Sequence, residues 1–196
     1  MDIVQRVQSI ILKPKEEWVK IKAEPSTVAD LFTSYAVILA AIPAGAQFLG
    51  NILVGRRIPV VGLYRWSIGR AFGNAVVSYV FALATVYLFA LIINELAPNF
   101  GSTKNMTGAL KLSVYSMTPG WVVGILYIIP GLWVLGLLAG LYGLYVLYLG
   151  FDTPMMETPK DKVMGYMGVS IVVVIVLYVV FSLILGGIFA VRYGRL

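Results

Sequence analysis

Residues 108–151 read GALKLSVYSMTPGWVVGILYIIPGLWVLGLLAGLYGLYVLYLGF, with a single charge, Lys111, and a single break, Pro130-Gly131. As one helix this stretch would reach about 66 Å at 1.5 Å per residue, far more than the roughly 30 Å of a hydrocarbon core. Two spans, 108–129 and 132–151, joined by a tight Pro-Gly hairpin at or just inside the interface, fit a bilayer instead. Working outward, the stretches 28–54, 67–96 and 163–191 are each apolar over the roughly 20 residues that a span needs. The expected fold is all-α: a polytopic membrane protein with five transmembrane helices.

Composition agrees. Of 196 residues, 60% are hydrophobic and 12% charged, with a mean hydropathy of +0.89. A soluble domain has about half its residues apolar and about a quarter charged. The chain has no His and no Cys, which removes the usual ligands of zinc, haem and iron–sulfur sites, a Cys nucleophile, a Ser–His–Asp triad and disulfides. The nine acids (Asp2, Glu16, Glu17, Glu24, Asp30, Glu95, Asp152, Glu157 and Asp161) are dispersed. No phosphate loop, metal-ligand array or catalytic carboxylate pair is present, so the expectation is a non-enzyme without a cofactor. The net charge of +6 comes from bases flanking apolar spans rather than from a dense patch, which points to anionic lipid headgroups and not to nucleic acid.

The first thirty residues hold five acids and five bases. Ile3, Val4, Val7, Ile10 and Ile11 recur at helical spacing opposite Gln5, Arg6, Gln8 and Ser9, as in a short amphipathic helix lying on the membrane surface. No apolar core of a signal peptide follows the start. Pro14 suits the first turn of a second helix, whose Glu16 and Glu17 near the start and Lys20 and Lys22 near the end match its dipole. Trp18 is placed at the headgroup level. The chain thus divides into an interfacial segment, 1–27, and a five-helix membrane domain, 28–196. Nine Lys and Arg fall on the N-terminal side of the spans and six on the other, which sets the N-terminus inside and the C-terminus outside, in a cell (inner) membrane.

Several stretches resemble the Ypt-interacting-protein (Yip) family of five-span membrane proteins. Leu12-Lys13-Pro14-Lys15-Glu16-Glu17-Trp18 followed by Ala23-Glu24-Pro25-Ser26-Thr27 is similar to the opening of its prokaryotic members. Asp30-Leu31-Phe32 falls where eukaryotic members carry Asp-Leu-Tyr-Gly-Pro, with Thr33-Ser34 in place of Gly-Pro. Tyr115-Ser116-Met117-Thr118-Pro119 resembles the family's Tyr-Ser-x-x-Pro. Tyr145-Val146-Leu147-Tyr148-Leu149-Gly150 and 159–166 are similar to its fourth span and the following loop. The resemblance implies a cytoplasmic N-terminus and a role in organising membranes through protein partners, as eukaryotic relatives associate with Rab-type GTPases and with one another.

Candidate functional residues are the polar ones inside spans, because lipid cannot satisfy them. Asn74, Ser78 and Thr85 lie within about 40° of one another around span two, with Glu95 about 60° away. Glu95 reads either as a cation or proton site on that stripe or as a carboxylate beyond the hydrocarbon, where Ala97-Pro98-Asn99 opens a loop. Asp30 reads as a binding residue or as half of a capping box with Thr27. Tyr115, Ser116 and Thr118 beside Pro119 read as a kink lining a path, or as hydroxyls repairing the backbone that the proline leaves open. Gln47 and Asn51 are placed to bond another helix. Tyr142, Tyr145 and Tyr148 read as a ligand-guiding ladder or as interfacial anchors. Small residues four apart (Ala36, Ala40 and Ala44; Gly69 and Gly73; Gly120 and Gly124; Gly136 and Gly140) permit close helix approach within the chain or in a homo-oligomer. Two functions follow: a membrane-organising, partner-binding protein that self-associates or meets other membrane proteins, or a permease or channel for a small ion or solute.

Overall fold

A computed structural model describes residues 2–58, 62–153, 155–176 and 179. Asp2 starts the first helix by accepting the Val4 N–H at 3.1 Å, and α1 runs Ile3–Leu12. Lys13 separates it from α2, Pro14–Ala23, which opens on the proline as expected and carries Glu16 and Glu17 in its first turn and Lys20 and Lys22 in its last. The long helix α3, Val28–Val54, begins with the reciprocal capping box of Thr27 and Asp30. π-helical turns at Phe32–Ala36 and Gly50–Val54 flank its α-helical middle, Val37–Leu49, which contains Pro43.

Next comes an element absent from the sequence reading, a two-stranded antiparallel ribbon. β1, Arg56–Ile58, pairs with β2, Gly62–Tyr64, in the register Arg56 with Tyr64 and Ile58 with Gly62. Helix α4, Ile68–Leu96, starts at Ser67 and continues as a 3₁₀ turn through Phe100. Asn105 caps α5, Met106–Val123, by accepting the Gly108 N–H at 3.0 Å. 3₁₀ turns at Gly124–Ile128 and Pro130–Leu132 then reverse the chain into α6, Trp133–Asp152, where the Pro-Gly hairpin is expected. Residues 163–176 form a further helix, α7; the rest of the stretch expected to be a fifth span lies, apart from residue 179, outside the described residues.

Among the described residues, three helical stretches are long and apolar enough to cross a membrane: Val28–Val54, Ile68–Phe100 and Pro130–Asp152, with mean hydropathies of 1.9, 2.5 and 1.9. The α5 helix is not one of them, and its packing gives the reason. Residues 108–116 are buried without interruption, so α5 is enclosed by protein and does not need a lipid-compatible surface. Ser113 donates to the Val86 carbonyl at 2.8 Å and Lys111 is satisfied by backbone carbonyls.

The N-terminal helices dock differently from the expected surface helix. Arg6 lies on the buried side, 3% exposed, while Val4, counted with the apolar face, is 58% exposed. Trp18 is fully buried instead of sitting among headgroups. Both differences have one cause: α1 and α2 pack on α5 and α6, and the groups they bury there find partners.

Candidate functional site

Those partners form one connected cluster. The Arg6 guanidinium donates to Glu17 Oε1 at 2.5 Å and to the Glu24 carboxylate, and Lys20 reaches Glu17 Oε2 at 3.3 Å. The Arg6 Cζ lies 5.6 Å from the centre of the Tyr115 ring. Tyr115 in turn meets Trp18 and Tyr35 edge-on, at 6.0 and 4.9 Å between centroids. The Tyr35 and Thr118 hydroxyls are hydrogen-bonded at 2.9 Å. Trp18 Nε1 donates to the Val146 carbonyl at 2.9 Å, and the Tyr142 hydroxyl to the Ile11 carbonyl at 2.7 Å. Lys111 Nζ donates to the Ile21 and Glu24 carbonyls at 2.7 and 2.6 Å. These are carbonyls at the end of α2, so the ammonium caps that helix and meets the negative end of its dipole.

The charge balance favours the docked form. The hydrogen bond from Arg6 holds the Glu24 carboxyl below the usual carboxylate range, against the opposing effect of burial. Burial works to lower the Arg6 pKa, but Glu24, Tyr115 and Glu17 outweigh it and raise it. A carboxyl with a depressed folded-state pKa contributes stability that is complete above its unfolded pKa and is lost as pH falls through the folded one. Glu24's share of the docking is therefore lost in acid, whereas Arg6, its pKa raised, keeps its share until strong base titrates the guanidinium.

The expected polar stripe of span two does not form one site. Asn74 Nδ2 donates to Gln47 Oε1 at 2.7 Å, bonding α4 to α3 as Gln47 is placed to do. Ser78 is half-buried. Thr85 faces a cavity between α4, α5, α6 and α7. Glu95 is exposed, 2.5 Å from Lys104 Nζ and 3.2 Å from Asn94 Nδ2. This is the span-end reading, and exposed pairs contribute little. Glu95→Gln is accordingly expected to leave the unfolding midpoint unchanged in denaturant titration in detergent. Asp30 likewise lies in its capping box, its N–H 3.1 Å from Thr27 Oγ1.

Beside Pro119, the expected repair of the freed carbonyl near Tyr115 by Ser116 or Thr118 is not what forms. Ser116 Oγ donates to the Ser113 carbonyl at 2.9 Å, and Thr118 is bonded to Tyr35. Tyr145 is half exposed with its ring 5.8 Å from Tyr142, and Tyr148 packs partly buried on the core. Only Tyr142 of the three reaches across to α1.

The cavity measures about 190 Å³, and its lining, which includes Thr85, Phe89, Ser116, Gly120 and Gly140, is nearly all apolar. A Cβ at Gly120 or Gly140 would meet nothing within 4 Å. Gly124 and Gly136, by contrast, are committed within the chain. A Cβ at Gly124 would come within 2.5 Å of Pro43, and one at Gly136 would lie 1.9 Å from the Tyr127 hydroxyl oxygen. Gly136 therefore shapes the fold of one chain, while Gly140 keeps a free surface. The described residues gather no cluster of carboxylates able to hold a metal.

Apolar helices of spanning length around the enclosed α5 define an integral membrane protein of the helical-bundle class. The Yip1 domain matches residues 8–184, and the chain belongs to that family. It is 24% identical over 130 residues to the inner membrane protein YohC of Escherichia coli K12, a match covering 66% of this chain and 67% of the relative. The YohC of Escherichia coli O6:H1 (strain CFT073) matches to the same extent. No solved structure matches the chain.

Four residues central to the cluster, Arg6, Glu17, Trp18 and Lys111, were not among the candidates. Lys111 carried a signal: it is the one charge in a 44-residue apolar stretch, and an isolated charge at such a place needs a partner inside the protein.

Proposed function

We propose that the chain is a membrane-organising, partner-binding protein of the inner membrane, with five spans, a cytoplasmic N-terminus and a self-associating bundle. The observation that carries this reading is the commitment of the interior charges. Arg6, Glu17 and Lys111, the buried charged residues among those described, are all held by partners within the chain. They fasten α1 and α2 into a fixed platform at one end of the bundle. A permease would need polar groups free to meet a solute; here Asn74, Ser116 and Thr118 are bonded within the chain and the mid-bundle cavity is apolar.

Span lengths support the placement. The helical stretch Ile68–Phe100 has 33 residues, against the roughly 20 that cross the hydrocarbon. The surplus stands outside the membrane beside α1 and α2, and the enclosed α5 counts as the third span. The interfacial segment 1–27 and the membrane domain 28–196 then work as one body. The inner-membrane placement rests on the YohC relatives, and the orientation on the nine-to-six distribution of bases. Anionic lipids, other membrane proteins and further copies of the chain are the partners proposed; no catalytic role is.

Native absence of cysteine makes the test clean. Single cysteines at Ser78, Thr85 and Ser116 are to be treated with small membrane-impermeant thiol reagents in intact vesicles. Protection at all three, with loop cysteines reactive, is the expected result. Labelling at all three means that water reaches mid-membrane, and the permease reading then replaces this one.

A further inference from the structure

Of the fifteen bases, the thirteen within the described residues divide by end of the molecule, and so do their types. The end that carries α1, α2 and the 101–105 and 153–162 loops holds eight lysines, Arg6 and all nine acids. Among the described residues, the opposite end holds Arg56, Arg57, Arg65 and Arg70 in and beside the ribbon, and no lysine. No acid occurs between Asp30 and Glu95. The described part of the ribbon end therefore carries four positive charges and no negative one, while the other end, with nine bases and nine acids, is neutral.

We propose that the ribbon end is a binding face for the phosphodiester of anionic phospholipid headgroups, with Arg65 and Arg70 as its cations. A need for positive charge alone would be met by lysine, as it is at the other end. The planar guanidinium is the side chain whose paired donors match phosphate oxygens. Arg70 is already ordered for such contact. Its Cζ lies 4.5 Å from the centre of the Trp66 ring and its Nη1 donates to the Tyr64 hydroxyl at 3.1 Å, which leaves most of its five N–H donors free. Arg65 is exposed, and no described carboxylate pairs with either residue.

The ribbon holds these groups on a fixed support. Gly55, at φ +75°, lets β1 start where a Cβ would lie 2.6 Å from the Tyr64 carbonyl oxygen, and the Trp66 N–H donates to the Asn51 carbonyl at 3.1 Å. Exposed Leu63, Tyr64 and Ile68 surround the arginines with apolar and aromatic surface. That mixture belongs at the depth where headgroups meet acyl chains.

The test is native mass spectrometry of the full chain, delipidated in detergent and offered phosphatidylglycerol or phosphatidylcholine. The wild-type chain is expected to retain phosphatidylglycerol preferentially. A basic residue near anionic lipid is worth about fivefold in binding, so Arg65→Gln with Arg70→Gln, which leaves both strands intact, should cut the preference by more than tenfold. Lysine at the same two positions should restore only part of it, and Lys13→Gln with Lys15→Gln and Lys22→Gln at the other end should leave it unchanged. Equal retention of the two lipids by the wild type, an unchanged preference in the glutamine variant, or full preference in the lysine variant would each overturn the proposal. Displacement of the bound lipid by equimolar soluble glycerol 3-phosphate would overturn the lipid assignment in favour of a free phosphate.

Discussion

Arg6→Met is expected to destabilise the chain by about 3–5 kcal/mol, the usual effect of removing one partner from a buried ion pair. The loss comes less from the missing attraction than from what stays behind. Glu17 is only 1% exposed, and without Arg6 its carboxylate keeps one ionic partner, the largely exposed Lys20 at 3.3 Å. Glu24 is much better solvated and suffers less. Replacing the pair together, Arg6→Met with Glu17→Leu, should recover most of the stability, because well-packed apolar side chains substitute for a buried ion pair at little net cost. The cycle of single and double variants is to be followed by trypsin protection at Lys20 and Lys22 and by denaturant titration in detergent. If Arg6→Met alone leaves both unchanged, the pair does not hold the platform.

This pair also marks where reading the sequence stops. Helical periodicity is a property of one segment, so it found α1 and sorted its faces by residue type. The carboxylate that makes burial of Arg6 tolerable lies eleven residues on, in another helix, and no spacing rule connects them. Terminal signals were legible for the opposite reason: Pro14 and the Thr27–Asp30 box act within four residues of themselves. Length and apolarity identified the stretches 28–54, 67–96 and 132–151. They also located α5, but not its enclosure, which depends on helices remote in sequence and relieves it of the demands that lipid makes. The ribbon was missed because its two strands have three residues each and no Asn-Gly or Asp-Gly turn joins them.

The candidate site was legible residue by residue more than as a place. Tyr115 and Thr118 do enter the aromatic and hydroxyl part of the cluster, beside the proline that drew notice to them. Thr85 and Ser116 do line one cavity, although they stand in different spans. The stripe from Asn74 to Glu95 failed as a single site for a geometric reason: 21 residues of helix extend about 31 Å, the full thickness of a bilayer core. Residues so far apart on one face answer to different neighbours, and here those are Gln47 at one end, the cavity in the middle and Lys104 at the other.

Trp18→Ala is the second large effect, expected at about 3–5 kcal/mol for a fully buried aromatic reduced to a methyl group. The variant loses the edge contact with Tyr115 and the hydrogen bond to the Val146 carbonyl, and it leaves a void between α2 and α6. That void has a specific floor. A Cβ at Gly150 would lie 2.6 Å from both the indole and the Leu112 side chain, so glycine is there to seat the tryptophan. Gly150→Val should therefore destabilise the wild-type chain by overpacking, by about 1–3 kcal/mol. In the Trp18→Ala background the same valine occupies vacated space and should be neutral or stabilising. Denaturant titration of the four proteins gives the coupling directly. A valine equally harmful in both backgrounds would mean that Leu112, and not the indole, sets the limit at Gly150. A change of sign would establish that α2 and α6 are fitted to each other through this one ring, and that the N-terminal helices are an integral layer of the bundle.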